Sequence, residues 1–273
     1  MEATNTPADL VGQVVGPVEV AITRDRVSFY ADVTGDDAER WSDEAPPGFG
    51  SVLLFAVADE FLYHPRTIDF TATLMHVDQS FTYLRPVSVG STQTVNGTIT
   101  RVRERAGSFF VTFEATSSDE GGVTVESVST FLLSDQKAPP PEVERTEPAV
   151  RQSGVNGPTD DGWLRSASRD DLVRYSAATR DFNPFHWDHD AAVGAGMPGV
   201  VVHGLFMFAW MVQAAGAKGR VLSTKVRFRN ALFPAEQATI TREAASDGNV
   251  KIALTRDGEP LVTGTATVVE ATE

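Results

Sequence analysis

An aspartate and a histidine lie five positions apart in the segment DFNPFH, which begins at Asp181 and ends at His186. Asn183 is a preferred N-cap residue and Pro184 is favoured at the first helical position, so the string predicts a short helix that runs on through Ala191. Asp181 then lies just before the helix and His186 lies in its first turn. The positive end of the helix dipole favours a neutral imidazole there. A neutral imidazole beside a carboxylate can activate water.

The same residue types have a structural interpretation, in which Asp181 caps the helix and His186 fills a polar niche. The context favours catalysis, because a Pro-Gly turn follows and leads into the string VHGLFMF. There His203 and Gly204 open a strongly apolar helix, with Leu205 next. Backbone N–H groups at a helix start have no intrahelical acceptor and can bind an anionic oxygen. One segment therefore offers an acid/base pair and an oxyanion site.

A basic stretch follows, with no acidic residue from Leu205 to Ala235; its cations are Lys218, Arg220, Lys225, Arg227 and Arg229. On a strand, the last three would share one face while Val226 and Phe228 point to the core. This pattern fits a solvated sheet face. It also fits a surface that meets the phosphates of coenzyme A or an acidic acyl carrier protein.

The chain divides into two similar halves. Residues 137–158 contain five of the fifteen prolines and predict a linker between an N-terminal domain, 1–136, and a C-terminal domain, 159–273. A degenerate repeat relates the halves through the pairs Tyr30 and Tyr175, Thr34 and Thr179, and Asp36 and Asp181. In each half a Pro-Gly turn then leads into an apolar helix.

Strand-like runs rich in Thr, Val, Ile and Phe follow each apolar helix. The closing strands are predicted at Ser108–Thr116, Thr124–Leu133, Val250–Thr255 and Leu261–Val269. Each half is thus predicted to be a short lead-in, one buried helix and several antiparallel strands that wrap it. The expected fold class is α+β, used twice.

The segment from Tyr175 through VVHGL to Phe208 resembles the signature of MaoC-like (R)-specific enoyl-CoA hydratases and 3-hydroxyacyl dehydratases. The resemblance implies a double hot-dog fold, in which each antiparallel sheet wraps a central helix, and it implies that Asp181 and His186 are catalytic. In the first half Asp36 remains, but Trp41 stands where the histidine should be. That copy is expected to be inactive and either to widen the acyl pocket or to give structural support.

The chain departs from the family pattern in its apolar helix. Many such hydratases place a small hydroxyl near the acyl carbonyl, and the stretch from Phe206 to Val212 has none. The carbonyl contact is then expected to come mainly from backbone N–H groups. The full set of expected substrate contacts is Asn183, His203, Gly204, Leu205, Lys225, Arg227 and Arg229.

Composition bounds the function further. The net charge of −14 argues against binding to nucleic acid or to anionic membranes, and the absence of cysteine excludes disulfides and thiolate chemistry. No metal and no redox cofactor are expected, since coenzyme A or phosphopantetheine would enter as part of the substrate. The uncharged stretch between Asp190 and Lys218 is interpreted as a helix buried by protein rather than a membrane span. A cytoplasmic protein is expected, and a homodimer of such chains stays open.

The predicted activity is a hydro-lyase that interconverts a 2-enoyl thioester and a 3-hydroxyacyl thioester, linked to coenzyme A or to a carrier protein. Two alternatives stay open at this point. One is thioester hydrolysis on the same fold, which would release a free thiol. The other is an acyl-binding subunit whose active site lies in another chain.

Overall fold

The computed structural model describes residues 6–137, 139, 142, 157–159, 162–245 and 248–270. Most of the linker predicted at residues 137–158 lies outside the described residues. The domain limits 1–136 and 159–273 therefore stay predictions.

The N-terminal half places two helices before most of its strands. Its elements are β1 (Val14–Ala21), α1 (Arg24–Thr34), α2 (Gly50–Leu62), β2 (Thr73–Tyr83), β3 (Thr92–Arg105), β4 (Ser108–Asp119) and β5 (Gly122–Ser134). Apolar and polar residues alternate between buried and exposed positions along much of β3, β4 and β5. One face of each strand therefore packs on the core, which contains nearly every residue of α2.

The C-terminal half repeats this order. Its elements are β6 (Gly157–Thr159), β7 (Gly162–Arg165), α3 (Arg169–Thr179), α4 (His189–Gly194), α5 (Gly204–Ala215), β8 (Gly219–Phe228), β9 (Ala238–Ala244), β10 (Asn249–Arg256) and β11 (Glu259–Glu270). A single 3-10 turn, Pro184–His186, stands between α3 and α4. The buried helix of this half is α5, all but two of whose residues are buried.

The eleven strands of the described residues form one sheet, in the order β1-β3-β4-β5-β2-β8-β11-β10-β9-β7-β6. The two halves join where β2 pairs antiparallel with β8, in a register that places Gln79 opposite Val226. A duplicated α+β unit with one buried helix in each half confirms the predicted double hot-dog architecture.

The internal repeat is visible in side-chain contacts as well as in element order. The Thr34 hydroxyl donates to the Tyr30 carbonyl at 2.9 Å, and the Thr179 hydroxyl donates to the Tyr175 carbonyl at 2.8 Å. The Ser51 hydroxyl then lies between the tyrosines, donating to Tyr30 at 3.4 Å and accepting from Tyr175 at 3.3 Å. The two copies therefore meet through equivalent, fully buried tyrosines.

Each lead-in contains an eleven-residue helix, α1 or α3, to which the sequence analysis assigned no secondary structure. One local expectation is wrong. The helix expected to continue through Ala191 instead stops at His186, because Trp187 leaves the helical region at φ −142°. Asp188 then caps the separate helix α4 and accepts a hydrogen bond from the Ala191 N–H at 3.0 Å.

None of the helices in the described part of the chain is long and apolar enough to cross a membrane. The uncharged stretch that raised the question contains α5, which is twelve residues long.

The ends of α1 and α3 differ in a way that predicts a stability change. The residue after α1 is Gly35, at φ 68°, and the residue after α3 is Arg180, at φ 71°. Left-handed backbone costs a residue with a Cβ more than it costs glycine. We expect Arg180→Gly to raise the free energy of unfolding by ~0.5–1 kcal/mol in denaturant titrations. Gly35→Ala is the matched control and should lower it, whereas equal effects of the same sign would contradict this explanation.

Candidate active site

Asp181 reaches its position because the left-handed Arg180 turns the chain sharply at the end of α3. Its side chain is only 9% exposed, and Oδ1 accepts a long hydrogen bond from the Asn183 N–H at 3.4 Å. Burial disfavours the charged form and raises the Asp181 pKa to about 7, against a smaller opposing effect of that N–H. The carboxyl group is therefore poised to gain or lose a proton near neutral pH.

His186 is the last residue of the turn that starts at Pro184. Asn183 caps this turn as predicted, with its side-chain oxygen accepting from the Phe185 N–H at 3.3 Å. Nδ1 of His186 lies 2.8 Å from the Val201 carbonyl. A carbonyl oxygen can only accept, so Nδ1 carries the hydrogen and Nε2 keeps its lone pair.

The cause of the neutral imidazole differs from the one expected. Burial lowers the His186 pKa to about 4, and the hydrogen bond to the Val201 carbonyl opposes this only in part. A helix dipole cannot be the cause, because the turn ends at His186 and the next helix, α4, starts only at His189. His186 is therefore a neutral acceptor at physiological pH for a reason that the sequence alone did not show.

His203, the N-cap residue of α5, contacts both Asp181 and His186. Its ring stacks on that of His186 with centroids 3.7 Å apart. Its Nε2 lies 3.0 Å from the Ser176 hydroxyl and 3.3 Å from the Asp181 carbonyl. The side chain is fully buried, which lowers its pKa well below the usual value. His203 was expected to contact substrate, but it lies behind His186 and outside the cavity lining.

A cavity of about 180 Å³ opens onto this group and is lined by both halves. The lining from the C-terminal half includes Asp181, Asn183, Phe185, His186, Gly204, Leu205 and Arg229. Gly204 and Leu205 are the first residues of α5, where backbone N–H groups lack an intrahelical acceptor. Acid/base groups and candidate oxyanion donors therefore face one space.

Of the cations in the basic stretch, only the last one reaches this cavity. Arg229 lines the cavity and donates to the Thr263 hydroxyl at 2.9 Å. Arg227 forms a two-pronged contact with Asp78, at 2.7 and 3.0 Å, and Lys225 is exposed on the same face. Of the three cations expected to meet substrate, Arg229 is the one that lies beside the catalytic group.

Sequence reasoning allowed the N-terminal half to widen the acyl pocket but did not identify which of its residues reach the cavity. His76, from β2, lines the cavity, and burial lowers its pKa to about 4. Phe55 and Tyr63 reach the cavity from α2 and the residue after it. On the same helix, burial and the nearby Asp181 raise the pKa of Asp59 to about 7. No sequence signal links residues more than a hundred positions apart, so only the pairing of the halves reveals them.

Asp181, His186 and His203 also form the one group among the described residues that could hold a metal ion. Their candidate ligand atoms all lie within 4.8 Å of one another. Nδ1 of His186 and Nε2 of His203 are taken up by the hydrogen bonds described above. A metal would have to use the remaining nitrogens and the Asp181 carboxylate.

Two family models match the chain, one in each half. The MaoC-like domain model matches residues 146–263, and the FAS1-like dehydratase domain region matches residues 9–128. A relative of nearly full length, 3-hydroxyacyl-thioester dehydratase X of Mycobacterium tuberculosis, is 26% identical over 267 residues, covering 94% of this chain and 89% of the relative. The chain thus carries a MaoC-like dehydratase domain in its C-terminal half and a FAS1-like dehydratase domain region in its N-terminal half. It is therefore a hydro-lyase, a hydratase or dehydratase.

Solved structures agree with the fold of this MaoC-like protein. The crystal structure of HtdX from Mycobacterium tuberculosis superposes with a TM-score of 0.73 at 24% identity, covering 92% of this chain and 99% of HtdX. A second protein of that organism, described as having a double hot-dog fold, gives a TM-score of 0.62 at 12% identity, with 97% and 98% of the chains covered.

The N-terminal copy of the MaoC-like motif lacks the histidine that could act as a base. The indole Nε1 of Trp41 donates to the Asp36 carboxylate at 2.9 Å, and the Asp37 N–H donates to it at 2.9 Å. An indole N–H can only donate, so Trp41 cannot accept a proton from water as the imidazole at the equivalent position can. The equivalent Asp181 has no such donor side chain among the described residues.

Burial of Asp181 predicts a pH-dependent stability. The folded pKa of about 7 lies above the ordinary value, so the ionised carboxylate destabilises the native state above pH 7 and costs nothing below about pH 4. We expect Asp181→Asn to raise the free energy of unfolding at pH 8 by roughly 1–3 kcal/mol. The gain should disappear at pH 4. Chemical denaturation at both pH values tests this, and a gain independent of pH would contradict it.

Proposed function

We propose that the chain hydrates a 2-enoyl thioester and dehydrates the matching 3-hydroxyacyl thioester, with Asp181 and His186 as its acid/base pair. The main support is that the unprotonated imidazole of His186 and the buried carboxyl group of Asp181, whose pKa is raised, line one apolar cavity. The name of the relative 3-hydroxyacyl-thioester dehydratase X supports the substrate class.

Hydration follows from the two protonation states. Nε2 of His186 accepts a proton from water while the water oxygen bonds to the β-carbon. Asp181, protonated, gives its proton to the α-carbon, and the former double-bond electrons form that C–H bond. The state with neutral His186 and protonated Asp181 predominates between about pH 4 and pH 7. Dehydration runs through the same steps in reverse.

The thioester carbonyl gains negative charge during both reactions. The N–H groups of Gly204 and Leu205, at the start of α5, are placed to stabilise it, and the helix dipole adds to their effect. Space is tight there: a Cβ added at Gly204 would lie 3.2 Å from the Phe228 ring. The apolar lining from Phe55 and Leu62 suits an acyl chain.

The expectations about the acyl carrier, cofactors, oligomeric state and cellular location stay predictions. The proposed carrier of the acyl group is coenzyme A or an acyl carrier protein, and no metal or redox cofactor takes part. A homodimer and a cytoplasmic location also stay predictions.

The assignment of the pair is tested by substitution. We expect Asp181→Asn and His186→Ala each to lower turnover by ~10²-fold or more with the fold retained, the usual scale for a lost acid or base. Loss of enone absorbance from a 2-enoyl-CoA measures hydration. Asp36→Asn is the matched control, since it makes the same chemical change in the copy without a histidine, and its turnover should change little.

Three outcomes would contradict the proposal. Near-wild-type turnover in either variant would remove that residue from the mechanism. A loss with Asp36→Asn as large as that with Asp181→Asn would make the effect structural. Release of free thiol, in place of water addition, would indicate thioester hydrolysis.

The proposed contact between Arg229 and a phosphate of the acyl carrier is tested by substitution. If Arg229 meets a substrate phosphate, its loss should weaken binding equally in the ground and transition states. We expect Arg229→Ala to raise KM for the coenzyme A thioester several-fold, with kcat little changed. Lys225→Ala, which removes the same charge outside the cavity lining, is the control and should have the smaller effect. For a short pantetheine thioester, which lacks the nucleotide, Arg229→Ala and the parent protein should have the same KM. A difference in KM with that substrate would contradict the phosphate contact.

A further inference from the structure

A second cavity lies at the opposite end of the β2–β8 junction. Its volume is about 440 Å³, against about 180 Å³ for the catalytic cavity. Small-molecule sites usually measure ~300–1,000 Å³, so the larger space falls within that range. It is lined by the degenerate motif of the N-terminal half, including Asp36 and Trp41, and by the far part of α5, including Ala209 and Val212.

The cavity has an apolar interior. Pro46, Phe49, Val87, Val125, Ala209, Val212 and Val221 line it, and all of them are buried. Such a surface favours a flexible hydrocarbon chain over a polar ligand.

Cations gather around the same cavity. Arg40, Lys218 and Arg220 line it, together with Arg85, whose guanidinium is paired with Asp119. The acidic lining residues are Asp36 and Glu44. Arg40, Lys218 and Arg220 are exposed, and Asp36 is already engaged by the Trp41 indole. The excess of positive charge contrasts with a molecule whose net charge is −14. A ligand with an anionic end is therefore attracted to this cavity.

One buried charge adds to this field. Arg165 is 2% exposed and donates to the side-chain oxygen of Gln213, a lining residue, at 3.2 Å. Its Nε has no hydrogen-bond partner among the described residues. A buried guanidinium behind the wall makes the cavity more favourable for an anion than its lining alone would.

We propose that this second cavity binds an apolar chain with an anionic head group, of the fatty-acid carboxylate type, and holds it without reaction. The chain would lie among the buried apolar residues, and the head group would meet Arg40, Lys218 and Arg220. No chemistry is expected, since the Asp36 and Trp41 side chains are bound to each other. The proposal stands independently of the activity at Asp181 and His186.

Titration calorimetry with decanoate tests the proposal on two matched alanines. Ala45 lines the second cavity and Ala231 lines the catalytic one, and both are partly exposed. We expect Ala45→Trp, which fills the second cavity, to abolish a decanoate binding event that Ala231→Trp retains. The opposite pattern would place the ligand in the catalytic cavity and overturn the proposal, as would no decanoate binding to the parent protein.

Charge-reversal variants on the surface test the same proposal if Ala45→Trp fails to fold. Reversing the charges of Lys218 and Arg220 to Glu should raise the decanoate Kd by about tenfold or more, the scale of one lost charge-assisted contact. The same reversal at the exposed Arg101 and Arg103 of β3 is the control for net charge. Equal weakening by both double variants would show a general electrostatic effect and overturn the assigned head-group site. Binding of unacylated coenzyme A in place of decanoate would also overturn it.

Discussion

The catalytic half depends on keeping a carboxyl group and an imidazole out of bulk water while leaving both open to a cavity. Burial sets both protonation states, because it raises the pKa of Asp181 and lowers that of His186. The hydrogen bond to the Val201 carbonyl then leaves Nε2 of His186 as the nitrogen with a free lone pair. His203 fills the space behind them and holds the Asp181 backbone, so the pair is presented on a preorganised support.

Much of this arrangement could be predicted because it is local. The Asn183 cap, the start of α5 at Gly204 and the repeat of Tyr30 in Tyr175 rest on residue types at short, fixed spacings. The strands were predictable for the same reason, since alternation of buried and exposed residues is written along each of them. The family resemblance of the DFNPFH segment then added a fold and a reaction to these local features.

The remainder required long-range information. Nothing in the sequence places His76 of β2 beside His186, because that contact follows from the pairing of two strands far apart in the chain. The helices α1 and α3 have many charged residues and weak apolar faces, so the sequence pattern did not assign them. The early end of the turn at His186 depends on the backbone of Trp187, which residue propensity does not specify.

The two ends of the β2–β8 junction have diverged in opposite directions. At one end a small cavity keeps a buried carboxyl group that accepts one long hydrogen bond from a backbone N–H, and burying such a group is costly. At the other end the same carboxyl position is satisfied by an indole, and the cavity beside it is larger and more basic. Under the two proposals, one duplicated frame carries a site for proton transfer and another that retains a ligand.

Covalent continuity has a further consequence for the β2–β8 pairing. A catalytic cavity walled by two separate chains would vanish on dilution below the dissociation constant of the pair. Here both walls belong to one polypeptide, so the junction closes at an effective concentration set by the chain itself. The integrity of the cavity is then independent of how much protein is present, and the two copies occur in a fixed one-to-one ratio.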